Sequence, residues 1–432
     1  MLREITIKNF KSICEEQTFS MEAYAKRVNE HSDHITTLNG VTLLRIASIY
    51  GPNGGGKSNL LEAIFLVKRM LSSRYLTMEM PNFVCLFSGK KDIEESIYFV
   101  TSEYEIGYHF SVSYKLSSGD EGDDRKDKNR FKELKFLFHH ESLEFRRNGE
   151  KEFSKLFCRD KTGSIESPYF LEIADVIKGL SLSENKSFLS YIRENYGNEK
   201  SKQKGIVEFD VIFSFFDEIN RIQYSNRNDE LFPLYNDDES GFAKKHKEGT
   251  INFFKNVGID VDDITFEKVK RFDADAEKVV FHHTTEKGKS FPLSLRKESS
   301  GTRRLFYLYA DLVTAIEKES ILIIDDFDAK LHPILLKYAI RAFIDSSKKK
   351  NAQLIVNSHD IINMTPDLFR RDEIWFALKD NLSSRYVSLS SIINYRGDPV
   401  RNDAVFYKQY LEGKYGNDPF IDKGLNFYGN EK

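Results

Sequence analysis

The sequence predicts an α/β fold built around a parallel sheet, and three apolar segments carry that prediction. The first runs from Leu43 to Tyr50, ends at the glycine cluster 51–56 and precedes apolar residues at helical spacing. The second is 321–324, which stops at two aspartates, and the third is 354–356, which stops at polar residues. Short apolar strands that alternate with helices are typical of a parallel sheet with helices on its faces.

The remaining segments divide the chain into a discontinuous head and an insert. From about 96 to 147 the apolar residues alternate with polar ones, which indicates strands. From about 165 to 262 the pattern is mostly helical and aromatic, and strand character returns beyond it. We therefore expect residues 1–150 and 263–432 to form the head and residues 151–262 to form a helical insert.

Composition narrows the class of protein. The chain has 432 residues, a net charge of −3 and a pI near 6.4, so no global charge attracts it to nucleic acid. Cys14, Cys85 and Cys158 are far apart and form no CxxC pair, so we expect neither a disulfide framework nor a zinc site. No run reaches the roughly 18 apolar residues of a membrane span. These features predict a cytoplasmic protein.

The first motif is a phosphate-binding loop, Gly51-Pro-Asn-Gly-Gly-Gly56-Lys57-Ser58. Its glycines let backbone N–H groups face phosphates, and the following helix adds its positive end. Lys57 can reach the β- and γ-phosphates, and the Ser58 hydroxyl can ligate Mg²⁺. The alternative is an accidental glycine turn, which the flanking strand and helix disfavour. The residues predicted to bind ATP here are Asn53, Gly54, Gly55, Gly56, Lys57, Ser58 and Asn59.

The second motif is a pair of carboxylates, Asp325 and Asp326, at the end of the apolar strand 321–324. A buried parallel strand delivers such groups to the carboxyl edge of the sheet, where nucleotides bind. Asp325 would hold Mg²⁺ through water, and Asp326 would orient or deprotonate the attacking water. Many strands end in aspartate because it starts turns, so the pair alone leaves that alternative open.

Three further segments lie near the acids in the sequence. Ser299-Ser300-Gly301 precedes an apolar helix and lies 26 residues before Asp325. By itself this segment is a plausible helix N-cap. The segment 328–333 follows the acids directly, and His359 ends another apolar strand 34 residues after Asp325. A single histidine after a strand is more often structural than catalytic, but these motifs together, in this order, leave little room for chance.

In this order the motifs resemble those of an ABC-type P-loop ATPase head. The resemblance implies that Ser299, Ser300 and Gly301 form the signature loop, which grips the γ-phosphate bound to the opposite subunit. It implies that 328–333 is the loop that crosses the dimer interface and that His359 is the switch histidine at the γ-phosphate. A homodimer or higher homo-oligomer follows from it, with Lys57, Asp326 and His359 as the catalytic residues.

The resemblance extends to two narrower groups. The segment 7–12 resembles the first strand of heads related to structural-maintenance-of-chromosomes proteins and recombination mediators. The other motifs look like those of bacterial stand-alone ABC ATPases of abortive-infection and related anti-phage systems, several of which work beside, or are fused to, a Toprim-type nuclease. The segments that carry this second likeness are 298–302, 328–333, 358–360, 371–376 and 410–416.

Three departures qualify the resemblance. The second acid is Asp326 where the family usually has glutamate, so hydrolysis is expected to be slow. No glutamine occurs between Gln17 and Gln203, so we expect the glutamine loop of this family to lack its glutamine. About 70 residues follow His359, and they lack the acidic clusters of a Toprim nuclease. Any nuclease is therefore expected on another chain.

Three functions remain open at this point. The first is an ATPase sensor or scaffold that controls a separately encoded effector, a nuclease or toxin, in anti-phage defence, with DNA or a phage protein as trigger. The second is a repair ATPase that clamps DNA directly, although neither a basic face nor long coiled-coil arms are evident. The third is an assembly module that binds ATP and barely hydrolyses it. The helical insert would either complete the head or bind the effector or trigger.

Overall fold

The fold is described from a computed structural model. The described residues are 1–25, 30–71, 82–89, 92–116, 134–167, 187–196, 207–223, 232–233, 245–271, 274–284, 288–380, 383–392, 400 and 404–416.

The core is a six-stranded sheet in the order β11-β16-β17-β5-β18-β19. All neighbouring pairs are parallel except the last, in which β19 runs antiparallel to β18. The predicted parallel sheet is therefore confirmed, with one antiparallel edge. Its strands are β5 (Ile46–Tyr50), β11 (Ile219–Gln223), β16 (Ile321–Asp325), β17 (Gln353–Asn357), β18 (Ile374–Asp380) and β19 (Ser383–Ser388).

Helices cover both faces of this sheet. Side chains on β16 alternate between the two faces: Ile321 and Ile323 join one core, and Leu322 and Ile324 join the other. The first core contains the helices α1 (Lys57–Leu71), α2 (Phe188–Tyr196) and α3 (Val207–Asp217), and the second contains α4 (Lys247–Asn256), α5 (Ser300–Glu317), α6 (Pro333–Ser347) and α7 (Phe406–Leu411). Burial on both faces explains why the central strands are continuously apolar.

A seven-stranded antiparallel sheet lies over the first core in the order β10-β9-β8-β7-β6-β1-β2. In its strand Tyr104–Leu116 the core residues alternate, as the period-two pattern predicted: Tyr104, Ile106, Tyr108, Phe110 and Val112. Its strands are β1 (Leu2–Lys8), β2 (Gln17–Ser20), β6 (Ile93–Val100), β7 (Tyr104–Leu116), β8 (Leu134–Arg147), β9 (Ser154–Arg159) and β10 (Ile165–Glu166).

Two smaller sheets complete the described structure. One is a hairpin of β3 (Ile35–Leu38) and β4 (Val41–Leu44), and the other pairs β14 with three neighbours. The strands of the latter are β12 (Phe232–Pro233), β13 (Asp263–Arg271), β14 (Ala274–Thr284) and β15 (Ser290–Ser294). The apolar run 43–50 is therefore two strands, because the chain turns between the hairpin and the core sheet.

The range 151–262 contains more than the predicted helices. It supplies β9 and β10 to the antiparallel sheet and β11 to the edge of the core sheet, beside β16. The stretch 211–223 lies within the range predicted to be mostly helical, but α3 ends at Asp217 and a strand of five residues follows. A strand this short shows too few residues for its period to be distinguished. The division at 151 and 262 stays a prediction.

Two cysteines that the sequence left unpaired are joined. Cys14 and Cys85 form a disulfide with their Cα atoms 5.5 Å apart, although 71 positions separate them. The expectation of no disulfide is therefore wrong for this pair. The turn after β1 lies against the segment 82–89, where the Cys85 N–H donates to the Asn9 carbonyl at 3.2 Å, and this contact brings the sulfurs together. Cys158 is a free thiol.

Within the described part of the chain, no helix is both long enough and apolar enough to span a membrane.

A buried side chain, Gln353 at the start of β17, links the two large sheets. Its amide oxygen accepts from the Leu2 N–H at 2.6 Å, and its amide nitrogen donates to the carbonyls of Leu2 and Leu44 at 3.0 Å each. Gln353 is fully buried, so water cannot replace these bonds. One residue thereby ties β1 to the parallel strand that ends at the candidate site.

Replacing this residue tests how much the link contributes. Gln353→Leu should lower the free energy of unfolding by about 3 kcal/mol, because it leaves buried backbone groups of Leu2 and Leu44 without partners. Urea denaturation measures the change. As a matched control, Gln409→Leu removes a bond from the Tyr415 hydroxyl at a partly buried position and should cost about 1 kcal/mol or less. Equal losses in the two variants would contradict the proposed role.

Candidate nucleotide-binding site

The glycine loop, the two aspartates and the histidine predicted from the sequence meet at the carboxyl edge of the parallel sheet. β5 ends at Tyr50 and leads into the glycine loop, β16 ends at Asp325, and β17 ends at Asn357, two residues before His359. These strands lie in the order β16-β17-β5, so the three loops are neighbours. Because these strands are parallel, residues some 300 positions apart in the sequence reach the same edge of the sheet.

The glycine loop has a shape that side chains would prevent. Gly54 and Gly56 have φ angles of +74° and +100°, in the region that favours glycine. A Cβ at Gly56 would overlap the Ser384 hydroxyl, and one at Gly55 would lie 2.9 Å from the Ala377 carbonyl. Gly55 and Gly56 thus pack closely against β18 and β19, whereas a Cβ at Gly54 would have no atom within 4 Å.

The loop offers hydrogen-bond donors to an anion. Among the described residues, none accepts a hydrogen bond from the backbone N–H groups of Gly54 or Gly56. The helix α1 begins at Lys57, directly after them. Bare N–H groups next to the positive end of a helix fit a phosphate.

Lys57 is held against this loop. Its ammonium donates to the carbonyls of Gly51 at 2.8 Å and Pro52 at 3.1 Å. Burial lowers the pKa of Lys57, and the nearby carboxylates, Asp326 foremost, oppose that shift. The side chain is therefore a buried cation beside the donor loop, where a triphosphate can attract it away from neutral carbonyls.

Asp325 is the most connected residue of the site. It is fully buried, and its Oδ1 accepts from the Ser58 hydroxyl at 2.8 Å and from the Asn357 amide. Its Oδ2 accepts from the guanidinium of Arg221 at 2.9 Å. A hydroxyl and a carboxylate in contact are oxygen ligands of the kind that Mg²⁺ prefers, so these two residues fit that ion.

Asp326 has an unusual backbone that aims it away from the strand. Its φ is +53°, which is costly for a residue with a Cβ, and its N–H donates to the Asn357 amide oxygen at 2.6 Å. Burial and the neighbouring Asp325 raise the pKa of the Asp326 carboxyl, whereas His359 lowers it. A raised pKa makes this carboxylate a better proton acceptor.

His359 is exposed, beside the acids. Its backbone N–H donates to the Asp328 carboxylate at 3.1 Å, which joins the loop after β16 to the loop after β17. The prediction placed Lys57, Asp326 and His359 in one catalytic group, and the structure brings all three to this edge. Their catalytic roles stay predictions.

The serine–glycine motif stands at the N-terminus of α5. Ser299 caps α5, and its hydroxyl accepts from the Thr302 N–H at 3.0 Å, so the N-cap interpretation is confirmed. No hydrogen bond between described residues joins Ser299, Ser300 or Gly301 to the glycine loop. Both serines are exposed.

Asn53 and Asn59 differ in what they offer to a nucleotide. Asn53 is exposed at the loop, whereas the Asn59 amide donates to the Ser12 hydroxyl at 2.6 Å. The Ser12 hydroxyl also lies 2.7 Å from that of Ser384. Asn59 therefore fastens the loop to the turn after β1, and its predicted contact with the nucleotide stays a prediction.

The sequence did not predict three residues of the site, which are Asn357, Arg221 and Gln223. Asn357 bridges Asp325 and Asp326, and only its place at a strand end could have indicated this. Arg221 and Gln223 lie on β11, where Gln223 is opposite Asp325 in the parallel register. The sequence predicted that a glutamine is missing here, but the structure places one at the end of the strand next to the acids. β11 lies within the predicted helical insert, which hid both residues.

Comparisons with known proteins agree with this geometry. Residues 46–363, about three quarters of the chain, match the family described as "AAA domain, putative AbiEii toxin, Type IV TA system". Comparison with curated proteins gave no significant match.

Three of the solved structures that are similar to this chain match 90% of its length. They are an SMC head domain from Thermotoga maritima (14% identity, 98% of that chain, TM-score 0.41), an Smc head domain with an extended coiled coil bound to a ScpA domain from Pyrococcus furiosus (14%, 96%, 0.41) and the recombination mediator RecF-ATPrS (14%, 98%, 0.36). The family match covers the glycine loop, the acids and the histidine. The chain therefore belongs to this AAA-domain family.

Proposed function

We propose that this chain binds ATP with Mg²⁺ at the carboxyl edge of its parallel sheet and hydrolyses it slowly. The observation that carries the proposal is the contact between Ser58 and Asp325 beside a loop with bare N–H groups. Gly54 and Gly56 would bind the phosphates through their N–H groups, and Lys57 would leave its carbonyl partners for the β- and γ-phosphates.

Ser58 and Asp325 would hold Mg²⁺, which supplies charge neutralisation at the β- and γ-phosphates when bound. Asp326 would accept a hydrogen bond from the attacking water, since its backbone turns it out of the strand. Its carboxylate is one methylene shorter than glutamate, so the water is held less closely. That shorter reach supports a slow reaction.

Two copies of the chain would complete the site. Ser299 and Gly301 are separated from the glycine loop of their own chain, and Gly301 stands in the first turn of a helix where alanine would be more stable. Its Cβ position has room within the chain, since the nearest atom is the Lys330 carbonyl at 3.5 Å. A glycine that its own chain does not require supports close approach by a phosphate bound to a second copy.

The biological role we propose is a cytoplasmic sensor or scaffold in anti-phage defence. The family description names a toxin of a type IV toxin–antitoxin system, and a toxin paired with an antitoxin implies a second component. We infer that ATP-dependent closure controls a separate effector, a nuclease or toxin. The alternatives are a clamp that binds DNA directly and an assembly module that barely hydrolyses ATP.

The role of Asp326 predicts a pH effect. Asp326→Asn should still bind ATP but should lower the hydrolysis rate about 100-fold, because the base is lost. The raised pKa of Asp326 means that the parent protein loses its base form as the pH falls through a value above the ordinary 3.8. A phosphate-release assay across pH should show that acid limb only in the parent. The exposed Asp345→Asn serves as control, and an unchanged rate in Asp326→Asn would remove this residue from the mechanism.

A composite site predicts complementation between two inactive variants. Lys57→Ala should lose ATP binding, and Ser299→Arg should bind ATP but neither hydrolyse it nor close. Mixed chains can contain one intact site, made of the Ser299 variant's loop and the Lys57 variant's signature motif, so activity should return to at most about half. As a control for the added charge, Ser346→Arg places an arginine near the C-terminal end of α6. Full activity of Ser299→Arg alone would show catalysis within single subunits.

The effector proposal predicts a stable complex. Co-expression with the genes that neighbour this one should yield a complex that co-elutes from a size-exclusion column, and ATP should change its elution or activity. The switch logic requires only that the effector bind one ATP state better than the other. A homo-oligomer that elutes alone and binds DNA tightly with ATP would favour the repair clamp instead.

A further inference from the structure

The carboxylate assigned to Mg²⁺ already has a cation beside it. Arg221, on the edge strand β11, donates from Nη2 to the Asp325 Oδ2 at 2.9 Å, and its Nη1 lies 3.9 Å from the Glu62 carboxylate. The Arg221 side chain is 16% exposed. In this arrangement a guanidinium occupies the Asp325 oxygen that Ser58 leaves free.

Both oxygens of Asp325 are therefore engaged. Oδ1 accepts from Ser58 and Asn357, and Oδ2 accepts from Arg221, in a place fully shielded from solvent. Water bound to Mg²⁺ would need an oxygen of this same carboxylate. A guanidinium and a divalent cation this close together repel strongly where little water screens them.

Arg221 is not held as a fully satisfied structural residue would be. Its Nε is buried and has no hydrogen-bond acceptor among the residues that the structure describes. Arg221 also lines a cavity of about 240 Å³ whose walls include Glu218 and Asp311 as well as Lys68 and Lys318. The guanidinium therefore has an unused donor and an adjoining space.

We propose that Arg221 is the counter-ion that positions Asp325 in the nucleotide-free protein and yields this place when Mg²⁺ arrives with ATP. Arg221 then sets the Mg²⁺ concentration at which the site loads. The inference rests on the proposed function, because it takes Asp325 to be the Mg²⁺ carboxylate. It adds a positioning residue that the sequence motifs do not contain, on the strand that follows α3.

The consequences differ from those of an ordinary ion pair. Removing one partner of a purely structural ion pair destabilises the protein and leaves its Mg²⁺ dependence unchanged. Removing a competing counter-ion destabilises the nucleotide-free protein and also makes Mg²⁺ bind more tightly. The two readouts together therefore separate positioning from simple packing.

The test compares Arg221→Met with Arg221→Lys and with the control Arg193→Met, which removes an exposed ion pair to Asp217. Binding of a fluorescent non-hydrolysable ATP analogue is titrated with Mg²⁺, and thermal unfolding is followed without Mg²⁺ and nucleotide. Arg221→Met should lower the half-saturating Mg²⁺ concentration about tenfold and lower the melting temperature. Arg221→Lys should stay close to the parent, and Arg193→Met should change neither quantity.

A second pair of variants ties the effect to the carboxylate. In an Asp325→Asn background, Arg221→Met should no longer lower the melting temperature, because the two residues form one coupled unit. A parent that binds no analogue at any Mg²⁺ concentration would refute the proposed function, and this inference with it. A parent that binds, with an unchanged or raised Mg²⁺ requirement in Arg221→Met, would overturn this inference alone.

Discussion

The buried carboxylate of Asp325 is the constraint on which the site depends. A charge without solvent is tolerated only when partners surround it, and here they come from three separate segments: Ser58, Arg221 and Asn357. Each segment is held by the parallel sheet or by the helix that leaves the glycine loop. The strand order β11-β16-β17-β5 thus brings the hydrogen-bond partners of Asp325 together at the carboxyl edge of the sheet.

The same edge concentrates negative charge that the chain only partly balances. Asp325, Asp326 and Asp328 lie close enough to influence the pKa of Lys57, and Asp325 and Asp328 both raise the pKa of Asp326. Such a cluster favours added cations, so a nucleotide alone would be repelled and one that carries Mg²⁺ would be accepted. This electrostatic requirement couples the phosphate loop to the acids in addition to the direct contact between Ser58 and Asp325.

Much of the fold and of the site could be predicted from the sequence, because continuous apolar strands that end in glycines, acids or histidine have few structural alternatives. Asp325, His359 and Lys57 reach the same edge by this rule. β11 could not be predicted, since five residues after a helix show no period. Arg221 and Gln223 were missed with it, and Asn357 was missed because its bonds cross strands. The Cys14–Cys85 pair depends on long-range packing that spacing cannot show.

A chain of charges extends from the antiparallel sheet to the site. Lys11, in the turn after β1, pairs with Glu62 on α1, and Glu62 lies near Arg221, which contacts Asp325. The turn that carries Lys11 is fixed to the segment 82–89 and, through Ser12, to the glycine loop. If Arg221 leaves Asp325, its charge must be balanced elsewhere, and Glu62 is the nearest second acid. Lys11 and Arg221 thus share the Glu62 carboxylate, which links the turn after β1 to the arginine that contacts Asp325.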